Sequence, residues 1–122
     1  RLIVPFPAGG PTDAIARLLA QPMGASIGQA ILVENRAGAG GNVGAEAAAR
    51  AEPDGYTLLV SSIATHGIGP ALYPRLPFDP VRDFASIGII HESALVIAAN
   101  PGFPARDLGA LLAAARAAPG CA

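Results

Sequence analysis

Tryptophan and lysine are absent from this chain, and cysteine occurs once, at position 121. A single thiol closes no internal disulfide, so this is not a disulfide-stapled scaffold, and Cys121 beside the C-terminus reads as incidental rather than catalytic. Aromatic residues make up only 5% of the sequence against 52% apolar overall. The core must therefore rest on Leu, Ile and Val in strands, covered by Ala-rich helices that pack close. All eight basic residues are Arg, and the formal net charge is −1. That balance excludes a basic nucleic-acid surface and a polybasic membrane anchor. No apolar run reaches the roughly 18 residues that a membrane span needs, so direct membrane insertion is not expected. No basic-then-apolar leader is present, because Arg1 opens directly into strand-like sequence. The chain reads as cytosolic, or as a mature exported protein without its leader.

What the sequence does have is a rhythm of short strands and helices. Residues 2–5 read as a first strand and 12–27 as a first helix, with Ile15, Leu18, Leu19 and Met23 as its apolar positions. Pro22 is expected to kink or shorten that helix, since it removes a backbone donor. A second strand is predicted at 30–34, a loop at 35–41, and a thin Ala-rich helix at 43–52 capped by Asn42. A third strand follows at 56–61. Alternation of this kind marks βαβ units and a parallel α/β sheet with right-handed crossovers. Residues 63–73 read as loop with a short helix, 84–90 and 94–99 as two further strands, and 107–118 as a final helix stopped by Pro119-Gly120. No strand follows that helix, so the ending looks truncated.

The run Pro-Phe-Pro-Ala-Gly-Gly-Pro-Thr-Asp at 5–13 carries the most information. A Gly-Gly turn that opens a helix gathers unpaired N–H groups at the positive end of the helix dipole, a candidate carboxylate cradle. The alternative is a plain tight connection with Thr12 or Asp13 as N-cap. A second glycine-rich segment, Gly38-Ala39-Gly40-Gly41-Asn42-Val43-Gly44, follows strand two. It lacks the fingerprint of a dinucleotide site, because strand three ends in Val60-Ser61-Ser62 rather than in an acid. No cofactor is called for. As a helix start, the segment promises further free N–H groups.

Ser61, Ser62 and His66 raise the question of a hydrolase, yet no G-x-S-x-G elbow surrounds either serine and no acid is placed to orient His66. Hydroxyls that bond a polar ligand, or that cap a loop, are the other readings. His66 and His91 form no recognisable metal set. With strand order 2-1-3, the loops 6–13, 37–42 and 61–66 fall on one rim, at the carboxyl ends of the strands around the topological switch point.

These motifs, together with Gly-Gln at 28–29, Val-Glu-Asn-Arg at 33–36, Pro-Asp-Gly-Tyr-Thr-Leu-Leu at 53–59, Leu-Tyr at 72–73, Asp-Phe at 83–84 and Asn-Pro at 100–101, resemble the solute-binding proteins of tripartite tricarboxylate transporters, the Bug family. The resemblance runs in order over essentially the whole chain. It implies a two-lobed type II periplasmic-binding-protein fold, three-layer α/β/α with a largely parallel sheet. It also implies a periplasmic receptor, not an enzyme, that hands a small organic carboxylate to membrane permease subunits. Ligand contacts implied by the resemblance fall on Phe6, Pro7, Ala8, Gly9, Gly10, Thr12 and Asp13, on Gly40, Gly41 and Asn42, and on Ser61, Ser62, Ala64 and His66. Gly69 departs from the family's usual Asn. The chain is also shorter than family members, so 1–99 is expected to give an incomplete first lobe and 100–122 the start of a second. The alternative to a receptor is a non-binding fragment that self-associates through surfaces left uncovered.

Overall fold

Three short parallel strands, β1 (Leu2–Val4), β2 (Val33–Asn35) and β3 (Leu58–Leu59), form one sheet in the order β2-β1-β3 in the computed structural model, which describes residues 1–94 and 96–117. Leu2, Ile3 and Val4 of the central strand stand opposite Val33, Glu34 and Asn35, and Leu2 and Ile3 stand opposite Leu58 and Leu59 on the other side. The ladder extends by one bond, from the Val60 N–H to the Ile3 carbonyl. Helix α1 (Pro11–Ile27) connects β1 to β2, and α2 (Asn42–Ala49) connects β2 to β3. The two crossovers run in opposite directions across the sheet. Right-handed connections therefore put the helices on opposite faces. A central strand covered on both sides must be apolar throughout, and Leu2, Ile3 and Val4 are all buried. The parallel α/β reading of the sequence holds, including the strand order.

Packing differs from the sequence expectation in an instructive way. The face of α1 that meets the sheet is Asp13, Ala16 and Ala20, whereas Leu18 is 74% exposed and Met23 lies at the surface. Small residues win because they let the helix axis approach the strands. Ala16 joins Leu2, Val4 and Val60 in the core, with Phe6, Ile31, Val33 and Leu58 packed against it. Nor does Pro22 shorten the helix, which continues to Ile27. Pro22 lies on the exposed side, where water can take the carbonyl that its missing N–H would have bonded. In α2, Gly44 and Ala45 are buried, and a Cβ on Gly44 would lie 2.7 Å from the Pro5 Cα. The expected thinness of this helix is real, although it ends at Ala49 rather than at residue 52.

Beyond β3 the chain forms a π-helical turn, Ile63–Ile68, that runs into the short helix α3 (Gly69–Leu72). The strands expected at 84–90 and 94–99 are not present among the described residues; position 95 lies outside them. Alternating side chains give only a tendency. A strand exists where a neighbour takes up its N–H and C=O groups, and these segments have no ladder partner among the described residues. Contacts divide the chain into two units, Arg1–Ile87 and Gly88–Ala122. In the second, Asp107 starts helix α4 (Leu108–Ala117) by accepting the Ala110 N–H at 2.8 Å. Residue 118, Pro119-Gly120 and Cys121 lie outside the described residues.

Candidate functional site

Parallel pairing puts the carboxyl ends of all three strands on one edge, and the loops that leave them meet there. Gly41 marks the junction. It sits at φ +98, and a Cβ there would lie 2.6 Å from Thr65 Cγ2 and 3.4 Å from both Phe6 Cζ and Pro5 Cβ. One backbone position thus touches the loops after β1 and β3 while belonging to the loop after β2. The left-handed conformation and the lack of space both demand glycine.

The loop after β1 is organised by Asp13. Gly10, not Thr12 or Asp13, is the N-cap of α1, and it caps without a side-chain bond. Asp13 instead reaches back from the first turn. Its Oδ2 accepts the Gly9 N–H at 2.8 Å and Arg17 Nε at 2.9 Å, while Oδ1 accepts Asn35 Nδ2 at 2.9 Å. Asn35 Nδ2 also donates to the Phe6 carbonyl at 3.1 Å, and Arg17 Nη2 reaches Asn35 Oδ1 at 3.2 Å. Hydrogen bonds from Arg17, Gly9 and Asn35 favour the ionised form and lower the Asp13 pKa to about 2, against desolvation that opposes them. The carboxylate is buried and charged, and both of its oxygens accept hydrogen bonds. It shapes the loop.

This network narrows the expected cradle. The Gly9 N–H belongs to Asp13, and the Gly10 N–H makes a long 3.4 Å bond to the Pro7 carbonyl. Pro11 has no N–H. Thr12 and Asp13 remain as the first-turn N–H groups without backbone partners among the described residues. Pro7 and Ala8 form the exposed outer wall and Phe6 the half-buried inner one.

In the loop after β2 three of the N–H groups at the helix start are already taken. Gly41 and Val43 both donate to the Gly38 carbonyl, and Asn42 donates to the Ala39 carbonyl. A 3-10 turn, Ala39–Gly41, consumes these donors before α2 begins. Asn42 is not the N-cap of α2 either, because Gly41 holds that position. Its side chain is buried, and Oδ1 has no partner among the described residues. Gly40 is exposed, and a Cβ there would stand 3.2 Å from the Tyr73 hydroxyl.

After β3, Ser61 Oγ lies 2.8 Å and Thr65 Oγ1 lies 2.9 Å from His66 Nδ1. Thr65 also donates to the Ser62 carbonyl at 3.0 Å and accepts the Ser62 N–H at 3.3 Å. Ser62 Oγ is buried, and the Ala64 carbonyl takes the Gly69 N–H. The His66 ring is set edge-on to Phe84, centroids 4.7 Å apart, with Phe78 at 6.1 Å. Burial lowers its pKa and favours the neutral ring. No acid bonds His66 among the described residues, and no group of three His, Cys, Asp or Glu side chains there could hold a metal.

Three residues that sequence reasoning did not place in the site carry its geometry. Arg17 was legible as the helical i+4 partner of Asp13. Thr65 lies three residues after Ser62, a spacing that lets side chain and backbone bond in one turn. Asn35 gives no local signal, because its partners come from a loop far away in sequence.

A family model described as the tripartite tricarboxylate transporter family receptor matches residues 15–122. The chain belongs to this family. Protein BugT of Bordetella pertussis is 43% identical over 121 residues, 98% of this chain and 37% of that protein. Among solved structures, MatC from Rhodopseudomonas palustris with bound malate is 40% identical, with a TM-score of 0.82 over 94% of this chain and 39% of that one. The periplasmic binding protein BugD is 43% identical, with a TM-score of 0.65 over 68% of this chain and 27% of that one. The chain spans well under half the length of these relatives. Its parallel α/β unit has the periplasmic-binding-protein fold, as the resemblance implied. No helix among the described residues is long and apolar enough to cross a membrane.

Proposed function

We propose that this chain supplies one side of the binding cleft in a periplasmic receptor that takes up a small organic carboxylate and passes it to the membrane permease subunits of a tripartite tricarboxylate-type transporter. The observation that carries this reading is the first turn of α1. Asp13, Asn35 and Arg17 hold its loop in place while the Thr12 and Asp13 N–H groups stay without backbone partners among the described residues. A helix N-terminus with free donors suits an anion. Malate bound to MatC, a relative of the same fold, supports a carboxylate as that anion. Residues 1–99 then belong to the first lobe, and 100–122 open the second. Site contacts fall on the loops around Phe6–Asp13, Gly40–Asn42 and Ser61–His66.

Binding rather than turnover fits the rim, since its Ser–His contact has no orienting acid and its serines sit in no nucleophile elbow. Nothing in the comparisons supports a self-associating module. Calorimetry of the native gene product against malate and a panel of mono- and dicarboxylates tests the proposal. Saturable binding of a carboxylate is expected, and indifference to every member of the panel sinks it. The isolated 122-residue chain offers one wall only. It should bind in the millimolar range, about −4 kcal/mol.

A further inference from the structure

Proton counting around His66 favours one tautomer. Three short contacts need hydrogen between their atoms: Ser61 Oγ to His66 Nδ1 at 2.8 Å, Thr65 Oγ1 to the same nitrogen at 2.9 Å, and Thr65 Oγ1 to the Ser62 carbonyl at 3.0 Å. The carbonyl can only accept, and each hydroxyl carries one proton. Suppose Nδ1 is bare. Ser61 and Thr65 must then crowd two protons onto its one lone pair while Thr65 also splits its proton with the Ser62 carbonyl, or else Thr65 Oγ1 and Nδ1 face each other with lone pairs. Suppose instead that Nδ1 carries hydrogen. Its N–H is shared between Ser61 and Thr65, the Thr65 proton goes to the Ser62 carbonyl, and every contact is satisfied. Thr65 then still has a lone pair for the Ser62 N–H, which it accepts at 3.3 Å. The ring cannot turn freely to escape this choice, because it is packed against Phe84 and Phe78, themselves edge to face at 5.8 Å.

The second assignment leaves one proton over, the hydroxyl hydrogen of Ser61. Ser61 is exposed, at the carboxyl end of β3 on the rim. We propose that His66 is a positioning residue: its Nδ1–H occupies a lone pair of Ser61 and so directs the Ser61 hydroxyl proton outward, to donate to a carboxylate oxygen of the ligand. The inference rests on the carboxylate reading of the rim. It also gives the Ser–His contact a polarity opposite to that of a nucleophile and its base, where the ring nitrogen must be free to take the serine proton.

Two measurements on the native gene product test it. Nitrogen-15 spectra of histidine-labelled protein, recorded without ligand where His66 is neutral, should show a protonated Nδ1 and an unprotonated Nε2. The reverse pattern overturns the assignment and needs no variant to fold. Calorimetry with malate and a panel of other carboxylates as probes should then show Ser61→Ala weakening binding about tenfold, the usual loss for one hydrogen bond to a charged group. His66→Leu should produce a similar loss, His66→Asn should restore much of it by placing an amide N–H where Nδ1–H was, and His66→Leu should add little in the Ser61→Ala background. Affinity unchanged by Ser61→Ala, or losses that add in full, overturns this inference alone. A wild-type protein that binds no carboxylate overturns the receptor reading and the role of Ser61 with it.

Discussion

Asn35 Nδ2 bridges the Phe6 carbonyl and Asp13 Oδ1, at 3.1 and 2.9 Å, so the last residue of β2 holds the loop that follows β1. Two segments far apart in sequence are joined at one amide. The bridge is possible only because β2 lies beside β1 in parallel register, with Val4 opposite Asn35. Sheet order thus decides which side chain can stabilise the helix start. Arg17, on the next turn of α1, closes the ring by touching both partners.

Acid should loosen this ring. Asp13 titrates at about 2 in the folded protein against an ordinary value of 3.8. The unfolded chain therefore binds the proton first as pH falls, and the stability that Asp13 contributes is complete above its ordinary value and lost on the way down to about 2. Wild type and Asp13→Asn should differ in melting temperature at neutral pH, with wild type higher. That difference should shrink steadily between pH 4 and pH 2. A gap that stays constant over this window would mean the carboxylate charge does not hold the loop.

Close approach makes Gly44 a sharper stability test than its helical setting suggests. An added Cβ would meet the Pro5 Cα at 2.7 Å, the Arg36 carbonyl oxygen at 2.8 Å and Pro5 Cβ at 2.8 Å. Two of these are backbone atoms, which cannot step aside as a flexible side chain would. Gly44→Ala gains helix propensity, yet it should lose about 1–3 kcal/mol through overpacking. Gly88→Ala meets nothing within 4 Å, at a position with no left-handed φ, and should stay within about 0.5 kcal/mol of wild type. Urea titration of both variants separates crowding from a general intolerance of glycine replacement.

Ile3 should carry a large share of the core, being fully buried between β2 and β3. Ile3→Ala removes methylenes that neighbours on both sides enclose, and about 2–5 kcal/mol is the usual cost. Leu18→Ala, on a residue 74% exposed, should change stability by less than about 0.5 kcal/mol. Chemical denaturation decides between this picture and the sequence pattern, which would rank Leu18 with the core.

That contrast shows where the sequence speaks. The alternation of the first three strands and two helices follows from hydrophobic periodicity, and with the 2-1-3 arrangement read from the βαβαβ start it gathers three loops on one rim; all of these appear in the structure. Local chemistry was less legible. The Ala16 and Ala20 face of α1 was hidden because alanine gives a weak apolar signal beside Leu18 and Met23. Segments 84–90 and 94–99 look like strands by composition, but pairing is a property of neighbours. The bonds of Gly41, Asn42 and Val43 to Gly38 and Ala39 depend on left-handed turns that a list of glycines does not specify. Asn35 could be quoted as part of a motif without its partner being known.

His66 offers a second pH window, well separated from that of Asp13. Burial against Phe84 and Phe78 disfavours the charged ring and lowers its pKa from the ordinary 6.5. As pH falls past 6.5 the unfolded chain takes up a proton that the folded chain still refuses, so stability declines until the folded ring titrates as well, and then levels off. Glu34 and Asp79, whose pKa values are lowered by hydrogen bonds from Arg36 and from the Arg82 and Val81 N–H groups, respond only in the carboxylate range below this window. His66→Gln should therefore flatten the decline between pH 7 and the folded titration point while leaving the steeper loss below pH 4 intact. Denaturant midpoints measured at half-unit pH intervals check this. Parallel curves for wild type and variant across that window would show that the ring is solvated enough to titrate normally, and that its aromatic contacts do not exclude water.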